Sequence, residues 1–379
     1  MVFHVTHPST DPLAHLKDAL LALEADGLRR TPPAATDGDT RSFCSNDYLG
    51  LARAHVVTSA PTGAGASRLI AGERQAHQEM ERAFASWLAV EACLAFTSGY
   101  AANVGALSAL AAPGDLIVSD ALNHASIIDG ARLSRARVAI VPHNDLAAVG
   151  RALSERTERR AWVAIESYFS MDADGPDLRA LRKLCDEHGA ALYLDEAHAL
   201  GVLGPEGRGR AAEVDVVPDV LVGTLGKSFG SQGAFVAGSH LLRDWLWNRA
   251  RSFVFSTGLA PTAAAVAQQA LEESIRTPTL RTHVLAMAER LRRGLTALDL
   301  RPIGFAHVVP VIVGSTDRAI ALSRWLAAEG LVIPPVRPPT VPSGTARLRL
   351  TVTARHTAAD VDHALDVFRH ATEQERGPR

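Results

Sequence analysis

ALYLDEAHALGVLGPEGRGRAAEVDVVPDVLVGTLGKSFG, residues 191–230, is the stretch on which the fold is read. It opens on an apolar run, ALYL, that ends on the acidic pair Asp195 and Glu196. It closes on a second run, VLVGTL (220–225), followed by a glycine-flanked lysine, Lys227. Short apolar runs of this kind are strands buried on both faces, and their spacing suits a crossover between parallel strands. The pattern repeats upstream in CLAF (93–96), LIVSD (116–120), VAIVP (138–142) and AWVAIES (161–167), and downstream in GAFVAG (233–238). Spacers such as PDLRALRKLCDEHGA read as helices. Seven strands with helical spacers predict an α/β layer sandwich around a mainly parallel sheet.

Further outward, Met80, Phe84, Trp87 and Leu88 mark a helix before the first strand. After residue 265 the chain reads as a helix (PTAAAVAQQALEESI), two strands (VVPVIVG, ARLRLTV) and a closing helix with Val361, Ala364, Leu365 and Phe368 on one face. That pattern predicts a smaller α+β domain. At the other end, Asp11 and Pro12 open an amphipathic helix through Leu13, Leu16, Leu20 and Leu23, and RTPPAATDGDT (30–40) reads as a linker. The expected organisation is an N-terminal helix and linker over 1–45, a large α/β domain over 46–265 and a C-terminal α+β domain over 266–379.

With 379 residues, 47% of them hydrophobic, the chain can bury substantial cores without disulfide or metal staples. Its 39 basic and 41 acidic residues leave a net charge of −2, which gives no basic field for nucleic acid. Cys44, Cys93 and Cys185 are odd in number and widely spaced, as reduced thiols are. The N-terminus lacks a basic region followed by an apolar run, and no stretch approaches the roughly 18 apolar residues of a membrane span. A cytoplasmic enzyme with no membrane partner is expected. Lysine occurs only at Lys17, Lys183 and Lys227, so lysine chemistry has three candidates.

Lys17 falls on the polar side of the first helix and Lys183 adjoins Arg182 on a crossover helix, as solvated charges do. Lys227 differs, standing just after a strand among Gly223, Gly226, Gly230 and Gly233, where backbone can approach a ligand closely. Gly226-Lys227-Ser228 imitates the end of a nucleotide-binding loop, but the leading position holds Leu221 instead of glycine, and the acidic pair precedes the loop. A different cofactor accounts for the same residues. Asp195 ends its strand at the carboxyl edge, where α/β sheets bind ligands, and a carboxylate there keeps a heteroaromatic nitrogen protonated. His198 lies on the same side of the turn. Ser98, Gly99 and Tyr100 open a helix after CLAF, offering free amides to a phosphate. His124 follows the next strand. Together these residues predict a pyridoxal phosphate site.

The runs SNDYLGL (45–51), TSGYAANVGAL, LNHASIIDGARLS, ESYFSMDADGPDL, LYLDEAH with GPEGRG, TLGKSFG and PPVRPPTVPSGTARLRLTVTARH resemble the α-oxoamine synthases. These are fold type I pyridoxal phosphate enzymes that condense an amino acid with an acyl thioester, and the match covers nearly the whole chain. The resemblance implies that Lys227 is the Schiff-base lysine, Asp195 the pyridinium partner and His124 the residue stacked on the ring, next to the substrate. It implies Ser170 and His198 at the ring hydroxyl, Thr224 near the phosphate, and the Gly99 and Tyr100 backbone beneath it. Ser256 and Thr257 match a stretch that reaches the neighbouring subunit's phosphate, which implies a homodimer with shared sites. Arg29, Thr340 and Arg349 match substrate contacts, with Arg349 on the amino-acid carboxylate.

Within the family, the run Arg337–Thr351 resembles members that join L-alanine to a pimeloyl thioester, on coenzyme A or acyl carrier protein, in biotin synthesis. The alternative is a glycine-using acyltransferase of the same family, and the TVPSGTARLRL run argues against an aminotransferase. Three departures stand out. The chain is shortened between SNDYLGL and GAGASRLIAG, Ala173 replaces a usual glycine, and Ala199-Leu200 replaces small or hydroxyl residues.

Overall fold

The computed structural model describes residues 12–26, 28–29, 42–54, 56–338 and 340–376. The chain divides into two units, Met1–Asp39 and Thr40–Arg379. In the first, the described residues form the helix His15–Ala25, with Ala14 at its N-cap. The expected cap Asp11 and the linker 30–40 lie outside the described residues.

The second unit is built on β1 (Ala92–Phe96), β2 (Leu116–Asp120), β3 (Arg137–Val141), β4 (Ala161–Glu166), β5 (Ala191–Asp195), β6 (Val220–Thr224) and β7 (Ala234–Gly238). These seven strands are the ones the apolar runs predict. Their spatial order is β1-β7-β6-β5-β4-β2-β3. β7 runs antiparallel to β1 and β6, and the remaining pairs are parallel. Helices cover both faces, so most of the strands are apolar throughout. On one side Leu94, Ile117, Tyr193 and Val222 pack with Ala102, Ala106 and Leu107 of the helix Gly99–Leu110. On the other, Val118, Val163 and Leu192 pack with Leu178, Leu181 and Cys185.

A second sheet, in the order β8-β10-β9, joins β8 (Val308–Gly314), β9 (Pro335–Val336) and β10 (Ala346–Thr351). The helices Thr279–Ala297 and Thr316–Ala328 on this sheet were not singled out in the sequence, although Val284, Ala288, Leu291 and Leu295 carry the helical period and are fully buried. β10 shows how a strand serves two purposes. Leu348 and Leu350 enter the core of the second sheet. Arg347 and Arg349, on the alternate face, reach the loop after β4. Ala173 in that loop adopts a φ of +54° while fully buried, a left-handed conformation that favours the glycine usual in the resembled family. Between the short turn Leu51–Arg53 and the turn Arg68–Gly72, the described residues form no helix.

Candidate active site

Lys227 owes its position to a tight turn after β6. The Gly230 amide donates to the Lys227 carbonyl (3.0 Å), and the Ser231 amide donates to the Leu225 carbonyl (2.9 Å). Gly230 has φ +56°, and a Cβ there would run into the backbone of Leu51 and Ala52. Glycine thus lets the turn lie against the SNDYLGL segment, which brings Tyr48 and Asn46 into the site.

Lys227 Nζ lies 2.9 Å from His198 Nε2, and His198 Nδ1 lies 2.7 Å from the Tyr48 hydroxyl. Tyr48 also donates to Asn46 Oδ1 (3.2 Å), which accepts from both terminal nitrogens of Arg349 (3.2 Å each). Arg349 Nε donates to the Ser170 carbonyl (2.6 Å). One continuous set of hydrogen bonds therefore runs from the lysine to the arginine.

Asp195, 6% exposed, ends β5. Its Oδ2 accepts from Asn103 Nδ2 (2.7 Å) and its Oδ1 from the Ala197 amide (2.8 Å). Asn103 is fixed in turn by Tyr193, whose hydroxyl donates to its Oδ1 (2.8 Å), and it donates to Ser126 Oγ (2.9 Å). Ser126 Oγ lies 2.8 Å from Nδ1 of His124, which is exposed at the mouth of the site. The adjacent carboxylate turns away. Glu196 accepts from Ser167 Oγ (2.7 Å) and from the Arg210 and Ala211 amides (3.1 and 2.8 Å), holding the GPEGRG loop.

At the other end of the site, Ser98 caps the helix Gly99–Leu110 by accepting the Ala101 amide (3.1 Å). A Cβ on Gly99 would sit 3.9 Å from Thr224 Oγ1, so the helix start and this hydroxyl border one space. Tyr100 turns its ring outward, with its hydroxyl on Asp129.

Burial pushes Lys227 down to about 8, and the Arg349 charge acts in the same direction, against the carboxylates of Asp195 and Glu166. Burial, together with the charges of Lys227 and Arg349, takes His198 well below its ordinary value and keeps it neutral. Glu166, which accepts the His124 amide (2.7 Å), is pushed up to about 8 by burial and by the neighbouring Asp195 charge.

The structure thus gathers Lys227, Asp195, His198, His124, Ser170, Thr224, Gly99, Tyr100 and Arg349 around one site. Thr340 is exposed and borders a small cavity with Ser170 and Phe169. Ser256 and Thr257 border a different cavity with Thr97 and Arg68. Arg29 belongs to the N-terminal unit, where it pairs with Glu24 (2.6 Å). Asn103, Tyr48, Asn46 and Glu166 were not assigned roles from the sequence. All four stand inside the quoted runs TSGYAANVGAL, SNDYLGL and ESYFSMDADGPDL, which is the signal that could have found them.

These residues fit pyridoxal phosphate. The low-pKa amine of Lys227 suits a bond to an aldehyde. Asp195 is pre-oriented with lone pairs to spare for a ring N–H, and the helix start beside Thr224 supplies donors for a phosphate. Among the described residues there is no cluster of His, Cys, Asp or Glu suited to a metal ion.

The sequence matches the family model for class I and II aminotransferases over residues 39–368. It is 44% identical over 364 residues to the 8-amino-7-oxononanoate synthase of Anaeromyxobacter dehalogenans, covering 90% of this chain and 92% of that protein. It is also 44% identical over 376 residues to that of Mycolicibacterium gilvum, covering 95% and 97%. In structure it is similar to a serine palmitoyltransferase variant from S. paucimobilis solved with a bound PLP–myriocin adduct, at TM-score 0.89 and 26% identity over 97% of this chain and 100% of that one. The chain therefore belongs to the class I and II aminotransferase family, within its branch of pyridoxal-phosphate-dependent 8-amino-7-oxononanoate synthases.

Proposed function

We propose that the chain joins L-alanine to a pimeloyl thioester, carried on coenzyme A or acyl carrier protein, and releases the thiol and carbon dioxide to leave 8-amino-7-oxononanoate for biotin synthesis. The observation that carries this reading is a lysine joined by a chain of hydrogen bonds to a buried arginine, beside a carboxylate braced at the end of β5. The resemblance of the Arg337–Thr351 run and the 44% identity to 8-amino-7-oxononanoate synthases support the choice of substrates.

Pyridoxal phosphate, when bound, supplies a carbonyl for the amino group and a ring that accepts the electrons freed at the α-carbon. Lys227 would anchor it, and Asp195 would hold the proton on the ring nitrogen. His124 would lie against the ring and Ser170 and His198 at its hydroxyl. The Gly99 and Tyr100 amides and Thr224 would take the phosphate. Arg349 would receive the alanine carboxylate in its two-pronged fork, a geometry lysine lacks. A lysine with a pKa near 8 is partly neutral at physiological pH, so Lys227 can remove the α-proton and later return it. Thr340 and Arg29 would contact substrate.

The reading includes a homodimer in which Ser256 and Thr257 complete the neighbouring subunit's phosphate site. It also includes a cytoplasmic location, in keeping with three free cysteines and with no described helix long and apolar enough to cross a membrane. Incubating the purified protein with L-alanine and pimeloyl-CoA should yield 8-amino-7-oxononanoate by mass spectrometry, with stoichiometric carbon dioxide. Product formed only with glycine would overturn the reading.

A further inference from the structure

We infer that Tyr48, acting through Asn46, sets the tautomer of His198 and makes the protonation of Lys227 respond to the occupancy of Arg349. The inference rests on the proposed role of Arg349 as the carboxylate site. Arginine has no acceptor, so the Asn46 atom facing both terminal nitrogens of Arg349 is the carbonyl oxygen. That oxygen can only accept. The Tyr48 hydroxyl, 3.2 Å away, donates its single hydrogen to Asn46, which leaves it to accept from His198 Nδ1 at 2.7 Å. Neutral His198 is then protonated on Nδ1 and bare on Nε2, the atom 2.9 Å from Lys227 Nζ. A bare nitrogen accepts from an ammonium, so this arrangement favours charged Lys227. His307 packs edge-on against the Tyr48 ring (4.2 Å between centroids) and helps hold the phenol in place.

A carboxylate on Arg349 competes for the N–H groups that now hold Asn46. Once released, the Asn46 amide can turn its Nδ2 toward Tyr48, and Tyr48 can turn its hydrogen to His198 Nδ1. The proton on Nδ1 leaves to solvent, and Nε2 takes a proton from the Lys227 ammonium. In balance, N–H bonds break at Nδ1 and Nζ, one forms at Nε2, and one proton is released. Lys227 is left neutral, the form that can take a proton from the substrate. Tyr48 and Asn46 are thus positioning residues, and they leave the lysine unprotonated when a carboxylate has docked.

The direction of the effect separates this relay from simple electrostatics. The groups facing Lys227 are Asp195 from β5, Glu166 from β4, Arg349 from β10, and His198, His124 and His307 from the adjoining loops. By charge alone, a carboxylate bound to Arg349 cancels a positive field and raises the lysine pKa. The relay lowers it.

The test uses the cofactor-free full chain and propionate, a carboxylate without an amine. Trace labelling with acetic anhydride across pH, read by mass spectrometry, reports each of the three lysines, with Lys17 and Lys183 as internal references. In the wild type, propionate should lower the labelling midpoint of Lys227; in Tyr48→Phe it should raise it. A midpoint that rises or stays in the wild type while calorimetry shows propionate bound would overturn the relay, as would a fall that persists in Tyr48→Phe. Propionate that fails to bind would overturn the carboxylate role of Arg349, and with it the inference. Nitrogen-15 histidine NMR on the wild type needs no folded variant. His198 should be protonated on Nδ1 without propionate and on Nε2 with it, and an unchanged tautomer would refute the relay.

Discussion

Replacing Asp195 by asparagine separates two contributions that the structure lets us size. Each carboxylate oxygen accepts one hydrogen bond, from the Asn103 amide and the Ala197 backbone. Asparagine offers one acceptor oxygen, so one of these donors loses its partner. Asn103 cannot turn over to compensate, because Tyr193 holds its oxygen and Ser126 its nitrogen. A buried donor left unpaired costs about 1–3 kcal/mol of stability. The chemical loss is larger. At a hydrogen-bonding distance of about 3 Å and an effective dielectric of about 20, a carboxylate attracts a protonated ring nitrogen by roughly 5 kcal/mol. Losing about half to nearly all of that in the transition state lowers turnover by a factor on the order of 10² to 10⁴. The assay is thiol release at saturating pyridoxal phosphate, with thermal denaturation run on the same preparation. Near-normal turnover in Asp195→Asn would refute the reasoning, and so would a loss of activity that merely tracks a loss of folded protein.

Lys227→Ala should abolish the visible cofactor absorbance, while Lys17→Ala and Lys183→Ala leave it intact; a borohydride-reduced adduct mapped to Lys183 would contradict the assignment. Across alanine or glycine paired with pimeloyl or acetyl thioester, kcat/KM should favour alanine modestly, since one methyl is worth about 1–3 kcal/mol. It should favour pimeloyl more strongly, at about 0.8 kcal/mol per buried methylene, and a preference for glycine with acetyl would point to the other branch of the family. Burial opposes charging of His143, but its hydrogen bonds to Asp120 (2.9 Å) and Asp174 (3.1 Å) outweigh that and raise it to about 10. Because the folded value lies above the unfolded one, this stabilisation is complete below about pH 6.5 and is lost as pH rises through about 10. Denaturation curves of His143→Gln should lose that component of the pH dependence; an unchanged profile would count against the cluster.

The strands were legible because helices cover both faces of the sheet, so that ALYL and VLVG are apolar without interruption. What that signal lacks is direction. Nothing in GAFVAG says that β7 runs against its neighbours, because strand orientation depends on the connection and on packing rather than on local composition. Lys227, Asp195 and His198 could be singled out because each stands within a few residues of the end of an apolar run. Tyr48 and Asn46 could not be assigned chemistry in this way. Tyr48 meets His198 across 150 residues of sequence, and Asn46 meets Arg349 across 303. Such pairings arise from tertiary structure. Arg349 itself was assigned by resemblance alone, since its strand period shows only that it opposes Leu348 and Leu350.

The order β1-β7-β6-β5-β4-β2-β3 also bears on how the chain comes off the ribosome. Strands β2 to β6 pair with neighbours close in sequence and can assemble as they emerge. β1, although made first, has a single partner, and Ala92 pairs with Gly238. Until that partner is synthesised, an entirely buried apolar strand has no neighbouring strand for its backbone hydrogen bonds. The earliest strand is thus the last to be secured, and the interval in which it stays exposed is when the nascent chain is most open to misassociation and to capture by a chaperone.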